Sequence, residues 1–227
     1  TERVLTIGSA DIYGKVTAAD LPITEDLALR PVSPYAASKV AADYVALQAF
    51  LGYEQHVVRA RPFNHLGPGQ TDKFVAPALA SRVAANEIEG NSVVRVGNLS
   101  PQRDFTDVRD VVRAYRLLVD KGHAGQVYNV CSGTAIPVQD LAERLISMAQ
   151  IPMTLEPDPD LQRPVDIPIL LGDSSRILAD TGWKPEIPLD QTLEDLLNDR
   201  RKRLQRKRKR LQAWASCGYK PRQSARC

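Results

Sequence analysis

Ser33-Pro34-Tyr35-Ala36-Ala37-Ser38-Lys39 opens a helix. A serine hydroxyl accepts a backbone N–H of the first turn, and proline suits the first helical position, where its missing N–H is not needed. The predicted helix runs to about Phe50 and is closed by Gly52. Upstream lies the apolar run Val4–Ile7, and downstream His56–Ala60, both read as strands. Strand, helix, strand is the unit of a parallel sheet, so the fold class is α/β.

The alternation continues outward. Helices are expected over Phe74–Glu89, Asp107–Lys121, Val138–Ala149 and Asp173–Thr181, the last stopped by Gly182, and another begins at Leu189–Asn198. Strands are expected at Val93–Val96, Val127–Val130 and near Met153–Glu156. Asp107–Lys121 carries an apolar face of Val108, Val111, Val112, Tyr115 and Leu118.

Hydrophobic residues make up 43% of the 227 and charged residues 25%, as in an ordinary soluble globular domain. No apolar run is long enough to cross a bilayer as a helix. The N-terminus reads as a strand, not as a signal peptide. Cys131, Cys217 and Cys227 form no disulfide framework, so a reducing cytoplasm is expected. His56, His65 and His123 are scattered and no Cys/His cluster has zinc spacing, so no metal is expected.

The net charge of +3 hides an asymmetry. Residues 200–227 hold 12 of the 30 Lys and Arg and no acid, which leaves 18 basic residues against the 27 acids of 1–199, a net of −9. An anionic ligand of the body must be held by a few placed cations, not by a broad positive field. Nine of the eleven residues in Arg200–Arg210 are basic. Such a run reads as a solvated tail, disordered or helical, or as a tether to nucleic acid or another polyanion. Trp214 and Tyr219 stand outside it, so it lacks the interleaved aromatics of a single-strand platform.

Tyr35 and Lys39 are spaced i, i+4 and lie on one helix face. A free phenol, with a pKa of about 10, is a poor acid at neutral pH, but a neighbouring ammonium favours the phenolate. Such a pair can pass a proton to or from a carbonyl or alkoxide oxygen. Ser9 follows the first strand, at the carboxyl end where ligands of open α/β sheets bind. Alone, Tyr-x-x-x-Lys is usually a surface tyrosine beside a solvated lysine. No glycine-rich phosphate turn follows a first strand; Gly67-Pro68-Gly69 lacks the third glycine and the helix. Either the protein binds no dinucleotide or the chain begins after that element.

Three segments stand in order: Gly8-Ser9-Ala10-Asp11-Ile12-Tyr13-Gly14, then Ser33–Lys39, then Arg61-Pro62-Phe63-Asn64-His65-Leu66-Gly67-Pro68-Gly69-Gln70. Together they resemble the extended short-chain dehydrogenase/reductases acting on nucleotide sugars. Within these, Gln102–Asp110, Val96–Leu99 and Arg163-Pro164-Val165-Asp166 are most similar to the GDP-6-deoxy-D-mannose (GDP-4-keto-6-deoxymannose) reductases, with the GDP-mannose 4,6-dehydratases near relatives.

The resemblance implies a partial Rossmann-like parallel sheet that binds NADP or NAD, and a smaller α/β substrate lobe. It implies that Tyr35 is the acid, that Lys39 assists it and holds the nicotinamide ribose, that Ser9 orients the carbonyl, and that Pro62 lies near the nicotinamide. It assigns Asp11, Asn64, Arg103, Arg163 and Asp166 to a GDP-sugar. Asp11 stands where the dehydratases tend to carry a longer Glu, which favours reduction. Residues 1–70 would continue the dinucleotide domain, 71–198 form the lobe with segments returning to the sheet, and 199–227 the tail. Val40, Tyr44, Leu47 and Leu51 would pair two copies into a homodimer. The family's upstream glycine-rich part implies that this chain alone has little activity. An epimerase, a dTDP-sugar enzyme and a non-catalytic binding module remain open.

Overall fold

β1 (Arg3–Ile7), β2 (His56–Pro62) and β6 (Val127–Val130) form a parallel three-stranded sheet, with β2 in the centre, in the computed structural model. The structure describes residues 2–161 and 167–216. Ile7 pairs with Ala60, and Pro62 with Val130, so the carboxyl ends of the strands lie together. Helix α1 (Pro34–Tyr53) connects β1 to β2, and α3 (Val108–Lys121) precedes β6.

The pleat of β2 divides the work of the two helices. Val58 and Ala60 point into a core with Val111, Ala114 and Leu118 of α3, completed by Trp183 and Ile177. Arg59 and Arg61 point to the other face, where Asp43 of α1 receives both. The ions are buried: Asp43 is 4% exposed, Arg59 7% and Arg61 4%.

The second lobe holds α2 (Val75–Glu89), β4 (Val93–Val96), α4 (Val138–Ser147), β8 (Thr154–Pro157) and α6 (Leu189–Ser216). β4 and β8 pair in parallel, and Leu79, Val83, Leu141, Leu145, Leu193 and Leu197 fill its core. Between the lobes runs β5 (Gln102–Asp107), parallel to β3 (Asn64–Leu66) and β9 (Ile169–Leu170) and antiparallel to β7 (Ala135–Pro137). α5 (Ser175–Thr181) packs on α3 and β6 and is closed by Gly182 in the left-handed conformation. No described helix is long and apolar enough to cross a membrane.

Three expectations need correction. α1 does not stop at Gly52 but passes through it to Tyr53, and Glu54, at φ 54°, makes the left-handed closing turn. The Glu54 amide satisfies the Ala49 and Phe50 carbonyls there, so the ordinary cost of a non-glycine residue is offset. The strands β3, β5, β7 and β9 escaped the sequence reading: β3 and β5 are mostly polar, and β7 and β9 are only three and two residues long. The basic stretch, read as disordered or helical, is helical through Ser216, and what changes is the boundary: α6 continues unbroken across the 198/199 division.

Removing one member of a buried ion group leaves the others charged and unpaired. Asp43→Ala is therefore expected to lower stability by about 3–5 kcal/mol, read from urea unfolding with the slope unchanged. Asp43→Asn, which keeps an acceptor, should lose less. A loss within error for Asp43→Ala would show that water compensates the two guanidiniums.

Candidate active site

The site begins where β1 ends. Gly8 N donates to Ala60 O at 2.8 Å, and a Cβ on Gly8 would lie 3.2 Å from that oxygen, so the chain passes close to β2 here. Ser9 is extended and half-buried, and its Oγ accepts the Asp11 N–H at 3.2 Å. It thereby caps a 3-10 turn, Ala10–Tyr13. Gly14 ends this turn at φ 66°, where a Cβ would meet Arg30 O at 1.7 Å, so only glycine fits. The turn is fixed from inside as well. Tyr13 Oη donates to Asn129 Oδ1 at 2.7 Å and accepts from Arg61 Nη1 at 3.0 Å.

Ser33 and Pro34 start α1 as their chemistry requires: Ser33 Oγ accepts the Ala36 N–H at 3.1 Å. Tyr35 sits in the first turn and Lys39 one turn on, with Nζ 5.9 Å from the Tyr35 ring centroid. Lys39 Nζ also donates to Ile7 O at 3.2 Å, two residues before Ser9. The helix start and the strand end that leads to Ser9 are thus joined by the Lys39 ammonium. Tyr35 is 53% exposed, so its hydroxyl is open to a reactant. Tyr13, by contrast, is fully buried and burial pushes its pKa up to about 12, which disqualifies it as an acid or base near neutrality. Pro62 is buried at the carboxyl end of the neighbouring strand.

A cleft of about 490 Å³ opens beside this edge, lined by Asp11 and Ser33 from the first lobe and by β3, α2, β4 and β5. It collects Asp11, Asn64 and Arg103, three of the residues that the sequence pattern assigned to substrate. Arg163 and Asp166 lie outside the described residues; Leu161 and Ile167, on either side of them, line the cleft. Asn64 Oδ1 is buried and accepts no hydrogen bond from the described protein. Arg103 is held by Gln102 O at 2.8 Å and Pro168 O at 3.3 Å. Burial lowers its pKa, opposed by the charge of Asp11. Burial raises the Asp11 carboxyl, opposed by the charge of Arg103, and both side chains line the same cleft.

Lys73 and Arg82 also line the cleft, and sequence reasoning missed them. The helix Phe74–Glu89 was legible, but which side faced the first lobe was not. An exposed lysine before a helix and an arginine two turns along it carry no signal until that side is known. With Arg103 they make three cations in a body that is otherwise acidic, a pattern suited to a diphosphate.

Residues 1–196 match the family model of GDP-mannose 4,6-dehydratase. The chain is 42% identical over 197 residues to a GDP-6-deoxy-D-mannose reductase of Pseudomonas aeruginosa, an alignment covering 86% of this chain and 64% of that one. It is 26% identical to a GDP-mannose 4,6-dehydratase of Sinorhizobium fredii, over 81% of this chain and 57% of that one. The solved structure of RMD from Pseudomonas aeruginosa complexed with NADPH superposes with a TM-score of 0.83 at 41% identity, covering 88% of this chain and 66% of that one. The chain thus spans somewhat under two thirds of the curated relatives it matches.

Asp11 places negative charge beside Arg103 in the cleft. Asp11→Asn is expected to bind free GDP, which has no sugar to meet that carboxylate, about 2- to 10-fold more tightly at neutral pH. Isothermal titration checks it; weaker GDP binding would mean that Asp11 holds the nucleotide itself.

Proposed function

The chain belongs to the GDP-mannose 4,6-dehydratase family, and on that premise we propose that it carries the proton-transfer groups and the sugar-nucleotide site of an NAD(P)-dependent reductase. The reaction is reduction of the 4-keto group of a GDP-4-keto-6-deoxymannose to a GDP-rhamnose type product. One observation supports this reading: Lys39 reaches both the Tyr35 ring and the strand end that leads to Ser9, while the cleft lined by the nearby Asp11 and Ser33 holds Arg103, Lys73 and Arg82. Reduction is preferred to dehydration because the likeness to the reductase, at 42%, far exceeds the 26% to the dehydratase.

The residues present fit a nicotinamide nucleoside. An ammonium has three donors, and the hydrogen bond to Ile7 O uses one of Lys39's, leaving two for ribose hydroxyls. Tyr35 is open beside it, and Pro62 flanks the same end of the sheet. When bound, the reduced cofactor supplies the hydride.

The chain's own groups handle the oxygen. Tyr35 Oη donates its proton to the carbonyl oxygen as that oxygen becomes a hydroxyl. The ammonium of Lys39 stabilises the phenolate that remains. Ser9 Oγ hydrogen-bonds the same oxygen and fixes its position. Arg103, with Lys73 and Arg82, binds the diphosphate, and the buried Asn64 Oδ1 accepts a hydrogen bond from a sugar hydroxyl of the same ligand. Arg163 and Asp166 complete the nucleotide contacts in this reading.

Of the four residues expected to pair, Tyr44 and Leu51 are exposed by 55% and 70%, while Val40 packs against the first-lobe core; Val45, 67% exposed, joins the exposed apolar side of α1. We take this face as the pairing surface of a homodimer, formed in a reducing cytoplasm where the buried Cys131 stays a thiol. Light scattering should find a dimer that Val45→Glu with Leu51→Glu converts to a monomer; a monomeric parent removes the pairing.

The functional reading is tested by titrating GDP-mannose into the chain. Arg103→Ala should weaken binding at least about tenfold, the loss of a charge-assisted contact, while Tyr35→Phe binds as the parent does. Whatever NADPH-dependent turnover of the keto sugar the chain supports should fall about 10²–10⁴-fold in Tyr35→Phe. Absence of GDP-mannose binding overturns the site, and conversion of GDP-mannose to its 4-keto-6-deoxy product overturns the choice of reduction.

A further inference from the structure

The basic half of α6 takes no part in this chemistry. Its start is core: Leu193, Leu196 and Leu197 are fully buried. Its next turns are pinned by ion pairs. Arg200 binds Asp72 at 3.0 Å and the Gln70 carbonyl, and Arg201 grips Glu87 through two nitrogens at 2.8 and 2.6 Å. Arg203 pairs with Asp199 at 2.8 Å, and Leu204 packs against the lobe core. Beyond Leu204 the helix continues, and Arg206, Lys207, Arg208, Lys209 and Arg210 are all exposed. None of these five makes an ion pair among the described residues, and neither does Lys202. The neutralised cations thus anchor the helix, and the unneutralised ones are presented by it.

A second feature adjoins them. A groove of about 430 Å³ between α2 and α6 is lined by Ala85, Ile88, Leu204 and the stems of Lys207 and Arg208. Ile88 is 42% exposed there. Glu89 stands on the groove wall, its Oε2 bonded by Asn91 Nδ2 at 2.9 Å.

We propose that this end of α6 binds single-stranded nucleic acid, with phosphates on the unpaired cations and an unstacked base laid on the apolar groove between Ile88 and Leu204. A strand offers both chemistries at once: repeated anionic groups and flat apolar bases free of a partner. A duplex keeps its bases stacked and cannot fill the groove. A membrane surface fits less well, because an interfacial helix needs a continuous apolar face. From 205 to 210, the turns that stand exposed, every residue is polar or charged, so this part of the helix has no apolar face. The acidic body, at −9 over residues 1–199, confines the attraction to this end of the molecule.

The test uses the full chain and a fluorescein-labelled oligothymidylate of about 20 nucleotides, longer than one such site, followed by anisotropy over a range of salt. Binding should weaken with salt. Replacing Lys207, Arg208, Lys209 and Arg210 by Gln, a good helix former, should reduce the slope of log affinity against log salt by roughly 2 to 3. Ile88→Gln, which removes apolar surface without adding charge, should lower affinity for the strand about two- to fivefold and leave the thermal melt unchanged. Both variants should keep GDP binding, so failure here is separate from failure of the reductase reading. Equal strand binding by the four-Gln variant overturns the proposal. So does tighter binding to a duplex of the same length, to polyglutamate, or to phosphatidylserine vesicles.

Discussion

One carboxylate holds the reacting edge together. Asp43 accepts Arg59 Nη1 at 2.7 Å and Arg61 through two nitrogens at 3.2 and 2.9 Å, in a space closed to water. Tyr35, Lys39 and Asp43 follow one another at i, i+4 and i+8, so they share a helix face. Fixing α1 at Asp43 therefore sets how deeply Lys39 reaches toward Ile7 and where Tyr35 stands. Arg61 extends the constraint. It also bonds Tyr13 Oη and Glu25 O, which carries the fixation into the turn that bears Asp11. A buried ion group is a weak source of net stability, because desolvation cancels much of the attraction. Its geometric demand is strict, and geometry is what a proton-transfer site needs.

The acids of Gln102–Asp110 show the same use of charge. Asp104 is fully buried and accepts Ser132 N, Ser132 Oγ, Gly133 N and Gly172 N. Burial raises its carboxyl, and those four donors oppose the rise. Asp107 caps α3 through Arg109 N and receives Thr192 Oγ1 from α6. Asp110 takes the Glu186 and Ile187 amides. Each acid ties a loop or helix start to β5 or α3. The negative charge of these three acids is thus consumed internally as hydrogen-bond acceptance. Arg103, on the same strand, is left to face the cleft.

Much of this was legible from local chemistry. Ser33-Pro34 marks α1 because a cap is a local event. The spacing of Tyr35 and Lys39 reports a shared face because a helix has a fixed period. The parallel sheet followed from the order of the elements. What escaped depended on tertiary contacts. β5 has no apolar run, since its polar residues are buried by partners far along the chain. The closing of α1 at Glu54 depends on carbonyls that the residue's own identity does not reveal. The cleft cations Lys73 and Arg82 needed the orientation of α2. The length of α6 needed the acids Asp72 and Glu87 to be placed beneath Arg200 and Arg201.

The two parts of the site differ in what they can vary. Ser9, Tyr35 and Lys39 are set by β1, α1 and the Asp43 group, and a shift there disturbs the sheet itself. The cleft side chains rise from α2, β4 and the segments around Leu161 and Ile167, and they can change without moving the reacting edge. In the proposed function, one proton-transfer edge is compatible with several chemistries, and the lobe supplies the choice of ligand. Asp11 is the residue where the two parts meet. It lies two positions after Ser9 on a turn locked by Gly14 and Tyr13, yet it lines the same cleft as Arg103. A change in its length moves negative charge relative to the sugar without touching the proton-transfer groups. That makes it the position in the first lobe at which the family's chemistries can diverge at least structural cost.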